Sequence, residues 1–268
     1  MRIFSYPVLR YDWICGPRLL RPQEMQTKRI KLIGNIPSDG DVPESALFLR
    51  STRRRIFLLS PANASGLRGS LLLKDAVRSP LADRLRNGGV PLGEIFTFIS
   101  GLYFRGKLAY ARAYAAPPPG LPGVAVITAS GGLVSPDRLF TLEELREIVA
   151  GRVDAAESRY RIPLEHDARL LRDHGGDHCE IVLLGSVATS KYVEPLLGIF
   201  GERLMFPAEF VGRGDMSRGG LLLRSARDQV QLKYVPVAGA VRNGARPAKL
   251  PKLKRSDVLM RPVETPGL

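Results

Sequence analysis

Four short apolar runs, each closed by small residues, constrain this chain more than any other feature. They are IFLL within RRRIFLLSPANASG (53–66), VAVI within PGVAVITASGGL (122–133), IVLL within CEIVLLGSVATS (179–190) and LMF within ERLMFPAEFVGRG (202–214). A strand with one wet face alternates apolar and polar residues. An unbroken apolar run that stops at Gly, Ser or Asn is the pattern of a strand buried on both faces of a parallel sheet. Helical patterns fill the gaps, at 67–86, 103–114, 141–153 and 190–201, and Thr141 with Glu144 forms a capping box that starts the third. Strands alternating with helices predict a three-layer α/β/α domain over residues 50–235, with a mostly parallel four-stranded central sheet.

The flanks differ from this core. Residues 1–49 carry five prolines and no sustained period, which predicts an irregular lead segment packed on the domain. Residues 236–268 form a basic, Pro-rich tail: Arg242, Arg246, Lys249, Lys252, Lys254, Arg255 and Arg261 face the single acid Asp257 between positions 242 and 261. Over all 268 residues, 40 Lys and Arg against 26 Asp and Glu leave a net charge of +14. Such an excess favours polyanions, nucleic acid above all. The competing reading of the excess is codon bias in a GC-rich genome, since 31 of the 40 basic residues are arginine. No run nears the ~18 apolar residues of a membrane span, and no cleavable leader is legible, so a monomeric cytoplasmic protein is expected, with no membrane partner.

Metal and cofactor motifs are absent from the sequence. Cys15 and Cys179 have no zinc spacing, and His166, His174 and His178 read as a polar surface loop before a strand rather than a metal cluster. Neither GxxxxGK[ST] nor GxGxxG follows a strand, so no cofactor is expected. Ligands of open α/β sheets bind beyond the carboxyl ends of the strands, which points to the four strand-end loops. Three are small and hydroxylated, with Ser60, Ser65, Ser130 and Ser186 suited to close approach of a base or sugar-phosphate. The fourth packs Glu209, Arg213, Asp215 and Arg218 among glycines.

The order of these four pieces resembles the uracil-DNA-glycosylase superfamily, together with its bacterial domains of unknown function and phage-defence relatives. IFLLSPAN is similar to the family's water-activating loop, VAVITASGG to its base-reading loop, IVLLGSVATSKY to its third strand and helix, and LMFPAEFVGRGDMSRGG to its DNA-inserting loop. The resemblance covers about 160 residues, and Leu184 to Ala188 carries its most specific part. It implies a DNA glycosylase that flips a base and hydrolyses its N-glycosidic bond to leave an abasic site. Phe206-Pro207-Ala208 stands where uracil enzymes open with His-Pro-Ser, so the implied substrate is a modified or damaged base, modified cytosine of phage DNA included, rather than uracil.

The resemblance also implies roles. Asn63 would position water. An amide cannot accept a proton at neutral pH, so a carboxylate nearby would help, Asp215 first and Glu209 second. Tyr103 or Phe104 would stack on the flipped base. Arg68, Arg105, Lys107, Lys191, Arg213 and Arg218, with the Arg53–Arg55 triplet, Arg224 and the tail, would meet DNA phosphates. Lys74, Lys107 and Lys191 are chemically able to form a Schiff base with a sugar, but they read as surface lysines. The competing classes are a catalytically silent nucleic-acid-binding protein and an enzyme acting on a free nucleoside or RNA base.

Overall fold

The computed structural model describes residues 53–251 except 65 and 75–77. In chain order its strands are β1 (Arg55–Leu59), β2 (Val90–Pro91), β3 (Val124–Ile127), β4 (Leu133–Val134), β5 (Leu139–Phe140), β6 (Glu180–Leu184), β7 (Leu204–Pro207) and β8 (Tyr234–Pro236). The helices are α1 (Leu67–Leu73), α2 (Pro80–Asn87), α3 (Leu92–Ser100), α4 (Leu102–Tyr114), α5 (Leu142–Ala150), α6 (Ser158–Gly175), α7 (Ser190–Phe200) and α8 (Asp215–Asp228).

The α/β class holds, and all four apolar runs are strands, but the sheet is larger than expected. It has six strands in the order β4-β3-β1-β6-β7-β8 and is mixed. The inner four are mutually parallel, with Phe57 between Val124 and Val182, while β4 and β8 close the two edges antiparallel. These edge strands are two and three residues long, too short for an alternating pattern to show in the sequence. In β1 the four residues after Arg55 are all buried, which is what cover on both faces requires. On one face α4 packs on β1 and β3 and against α8; on the other α6 packs on α7, which lies over β7.

Several helices depart from the expected pattern. The 67–86 segment is two helices, because Ser79 caps a new start with Pro80 at its first position, its hydroxyl accepting from Ala82 N–H at 3.2 Å. Helix α6 turns the supposed histidine loop into helix through His166 and His174, with Pro163 inside its first turns. The Thr141–Glu144 capping box is present in full at the start of α5. Calls on residues 1–49, Ser65 and 252–268 fall outside the described residues. Beyond β8 the chain packs back on the domain: Val237 is buried and Arg213 donates to the Ala248 carbonyl. Among the described residues no helix is long and apolar enough to cross a membrane.

Candidate active site

From β1 the chain crosses to β3 on one side, then returns past β1 to β6 on the other. The crevice between β1 and β6 is therefore the topological switch point, where backbone groups stay open beyond the strand ends. Ser60 is the first residue past β1, and its N–H still pairs with the Leu184 carbonyl of β6 at 3.1 Å. Gly185 lies against it so closely that an added Cβ would sit 2.9 Å from the Ser60 Cβ. Glycine there is what lets the Ser60 side chain occupy the crevice.

Lys107 enters the same crevice from α4. It is 1% exposed, and its Nζ donates to the Ser60 carbonyl at 2.5 Å and to Ser60 Oγ at 2.9 Å. Its ammonium also lies over the rings of Tyr103 and Phe104, at 4.5 and 4.9 Å from their centroids. Burial brings the amine down to about 7; nearby Asp215 opposes that shift and Arg218 adds to it. The surface reading of Lys107 is thus overturned, and with it the phosphate-contact role.

Helix α8 supplies the next groups through a glycine crossing. A Cβ on Gly106 of α4 would meet the Gly219 carbonyl at 2.6 Å, and one on Gly219 would meet Leu102 O and Tyr103 Cα at 2.8 Å. Backbone contact of this kind brings Tyr103 and Lys107 beside Asp215 and Arg218. Asp215, in the first turn of α8, has 70% of its side chain exposed and lies 3.7 Å from Arg218. The Arg218 guanidinium is buried; it donates to the Phe210 carbonyl and stacks over that ring, so it braces the 208–210 turn rather than meeting DNA.

Two phenols complete the cluster. Tyr192 of α7, buried, lies in hydrogen-bonding reach of the Ser60 hydroxyl, and burial raises its pKa. The Tyr103 hydroxyl is near Arg218 yet has no well-aligned hydrogen bond; burial pushes it up to about 12. Tyr192 was not among the expected residues. Phe104 is fully buried and packs edge-on to Phe96, so its stacking role is withdrawn, and Tyr103 at 6% exposure presents little surface to a base.

The remaining candidates scatter. Asn63 is exposed three residues past Ser60. Glu209 turns toward β8, where its Oε1 accepts from Lys233 N–H at 3.4 Å, so it does not join Asp215. Ser130 lies in a tight turn between β3 and β4 that Thr128 closes on Gly131 and Gly132; this is a hairpin, not a strand-to-helix loop. Ser186 is half-buried, and Lys191 lies over the Tyr192 ring. Arg68 is exposed on α1 and reaches the Phe98 carbonyl, Arg105 is half-buried, and Arg213 bonds Ser217 Oγ at 3.2 Å. Arg55 is committed to Glu180, bound twice at 3.0 and 2.7 Å at the opposite end of β1, and stacks on Tyr234.

A shallow groove of about 360 Å³ beside β7, lined by Phe206, Val211, Val235 and Val241 among others, holds no ionisable side chain. Within the described residues no group of three or more His, Cys, Asp and Glu could hold a metal. Comparison with protein-family models, with curated proteins and with solved structures finds no match to this chain.

Proposed function

We propose that the protein is a DNA glycosylase that hydrolyses the N-glycosidic bond of a modified or damaged base. The observation that carries this reading is the juxtaposition, at the β1/β6 switch point, of a buried Lys107–Ser60 pair with the exposed carboxylate of Asp215 at the start of α8. Cleavage of the bond builds positive charge on the sugar, which a fixed carboxylate stabilises. Asp215 supplies that charge beside the water that ends up on C1′. Base reading is assigned to the hydroxyls of Ser60 and Tyr192, which lie within hydrogen-bonding reach of each other past the end of β1. Phosphate affinity falls to exposed arginines such as Arg68 and to the basic tail.

The test uses duplex and single-stranded DNA carrying uracil, 5-hydroxymethylcytosine or its glucosylated form, followed by alkali to cut at abasic sites. Strand cleavage at the modified position supports the reading, and an uncut panel sinks it. The low exposure of Ser60, Lys107 and Tyr103 favours one alternative, a silent DNA-binding protein on the same scaffold. That alternative predicts salt-sensitive DNA binding unchanged by Asp215→Ala, with no base released.

A further inference from the structure

We infer that residues 242–251 form a strap, laid along α8 beside Asp215, whose cations bind the phosphate backbone of a nucleic acid; this rests on the nucleic-acid part of the reading above and not on its chemistry. Three observations lead to it. First, the strap is held in place. A Cβ on Gly212, whose φ is +70°, would run into the Ala245 carbonyl, and one on Gly244 would lie 2.8 Å from a Val211 methyl. Arg213 Nη1 donates both to Ser217 Oγ at 3.2 Å and to the Ala248 carbonyl at 3.4 Å, which sets the strap against the first turn of α8; further along the helix Arg224 donates to the Pro251 carbonyl. Second, the strap's cations are uncompensated. Arg246 and Lys249 are exposed, Arg242 is half-buried, and among the described residues none of the three forms an ion pair. Elsewhere acids answer the arginines: Arg55 faces Glu180, Arg84 faces Glu94, and Arg161 and Arg169 share Glu165. From Gln229 to Ser256 the sequence holds seven basic residues and no acid. Third, the basic run is marked by lysine. Codon bias toward arginine does not enrich lysine, yet three of the nine lysines, Lys249, Lys252 and Lys254, fall within six residues.

A segment that carries positive charge at intervals and no negative charge matches a partner whose negative charge repeats along a line. Nucleic acid is that partner, because each cation that meets a phosphate also frees a condensed counterion. A membrane surface fits less well. Binding to anionic lipid draws on large apolar side chains between the cations, and here the intervening residues are Asn243, Gly244, Ala245, Pro247 and Ala248. The position matters as much as the charge. Asp215, with 70% of its side chain exposed, repels a phosphate chain brought to it. The strap places its cations at the same end of α8, where they offset that repulsion and hold the chain against the carboxylate. Arg213 and Arg224 act as staples for the strap, and its own side chains are left to meet phosphate.

The experiment titrates the full chain into a short, fluorescently labelled, unmodified DNA duplex and reads anisotropy from about 50 to about 200 mM salt. One variant carries Arg242→Gln, Arg246→Gln and Lys249→Gln together. A control removes the same charge from exposed positions away from the strap, with Lys74→Gln, Arg152→Gln and Arg159→Gln. The strap variant should lose at least about tenfold in affinity, and its slope of log affinity against log salt should shrink by about 2–3, while the control slope changes by less than about 1. Gly212→Ala keeps every charge but pushes the Ala245 carbonyl away, so affinity should fall several-fold with the slope retained. Equal losses in strap variant and control would mean that net charge alone attracts DNA, and overturn the inference. Absence of DNA binding, tighter binding to phosphatidylserine vesicles than to DNA at the same salt, or a Gly212→Ala chain of undiminished affinity overturns it too. Unmodified DNA presents no base to excise, so the two readings fail separately. Strap-dependent binding with no base released from modified DNA keeps the strap and removes the glycosylase. Base release with binding indifferent to the strap keeps the glycosylase and removes the strap.

Discussion

Replacing Lys107 by Met isolates the cost of keeping an amine inside this fold. Unfolded, the side chain gives up its proton near 10.5; folded, it does so at about 7. Between those values the unfolded chain holds one more proton than the native one, so stability rises with pH, by up to about 1.4 kcal/mol per unit. Below pH 7 both states are protonated and the native state bears the whole penalty, roughly 5 kcal/mol. Above pH 10.5 both are neutral and the penalty is gone. Methionine fills a similar volume without charge, but it leaves the Ser60 carbonyl and hydroxyl without their donor, a loss of about 1–3 kcal/mol. Near pH 6 the variant should therefore be at least as stable as wild type, and near pH 10 less stable. Urea denaturation of both chains from pH 6 to 10 reads this directly. The wild-type minus variant difference should climb by about 4 kcal/mol between pH 7 and 10. A difference that stays flat within about 1 kcal/mol would mean that the amine keeps its ordinary affinity for protons, and the argument from burial would collapse.

Gly106→Ala places a Cβ 2.6 Å from the Gly219 carbonyl, so α4 and α8 must separate; a loss of about 1–3 kcal/mol is expected in thermal or chemical unfolding, and an unchanged midpoint would contradict the backbone contact. Asp215→Asn removes the negative charge that raises the Lys107 pKa, so the amine should titrate lower still, while base excision should fall about 10²-fold or more with DNA affinity retained; equal turnover would exclude the carboxylate from the chemistry. Truncation after residue 251 removes Lys252, Lys254, Arg255 and Arg261, and the slope of log affinity against log salt should drop by up to about 3–4; an unchanged slope would show that the tail does not meet phosphate.

Much of the scaffold was legible because burial on both faces leaves a one-dimensional trace. The runs ending at Leu59, Ile127, Leu184 and Pro207 are strands because no polar residue interrupts them. The edge strands left no trace, being too short to show a period. The site was half legible. Ser60 lies at a strand end that the sequence identifies, whereas the sequence pattern places Asp215 in the loop after the fourth strand, where the structure starts α8, a helix outside the expected ones. Lys107 was misread, although the signal was present. Tyr103, Phe104, Leu108 and Ala111 form one apolar stripe at helical spacing, and Lys107 sits within it. Tyr192 had no local signal, since an aromatic on a helix is read as core unless its hydroxyl's partner is known.

The sequence by itself determined the α/β class and the four inner strands with their ends, because cover on both faces leaves an unbroken apolar run; the strand order, and with it the crevice between β1 and β6, came from the structure. Only the tertiary structure decided which charges are buried. Contact between Gly106 and Gly219 draws Asp215 and Arg218 onto Lys107, and Gly185 opens the space that Ser60 fills. Electrostatic character depends on distances between residues far apart in the chain, and packing sets those distances. A lysine that looks like one of forty basic residues becomes an amine titrating near 7 only once the helices close over it.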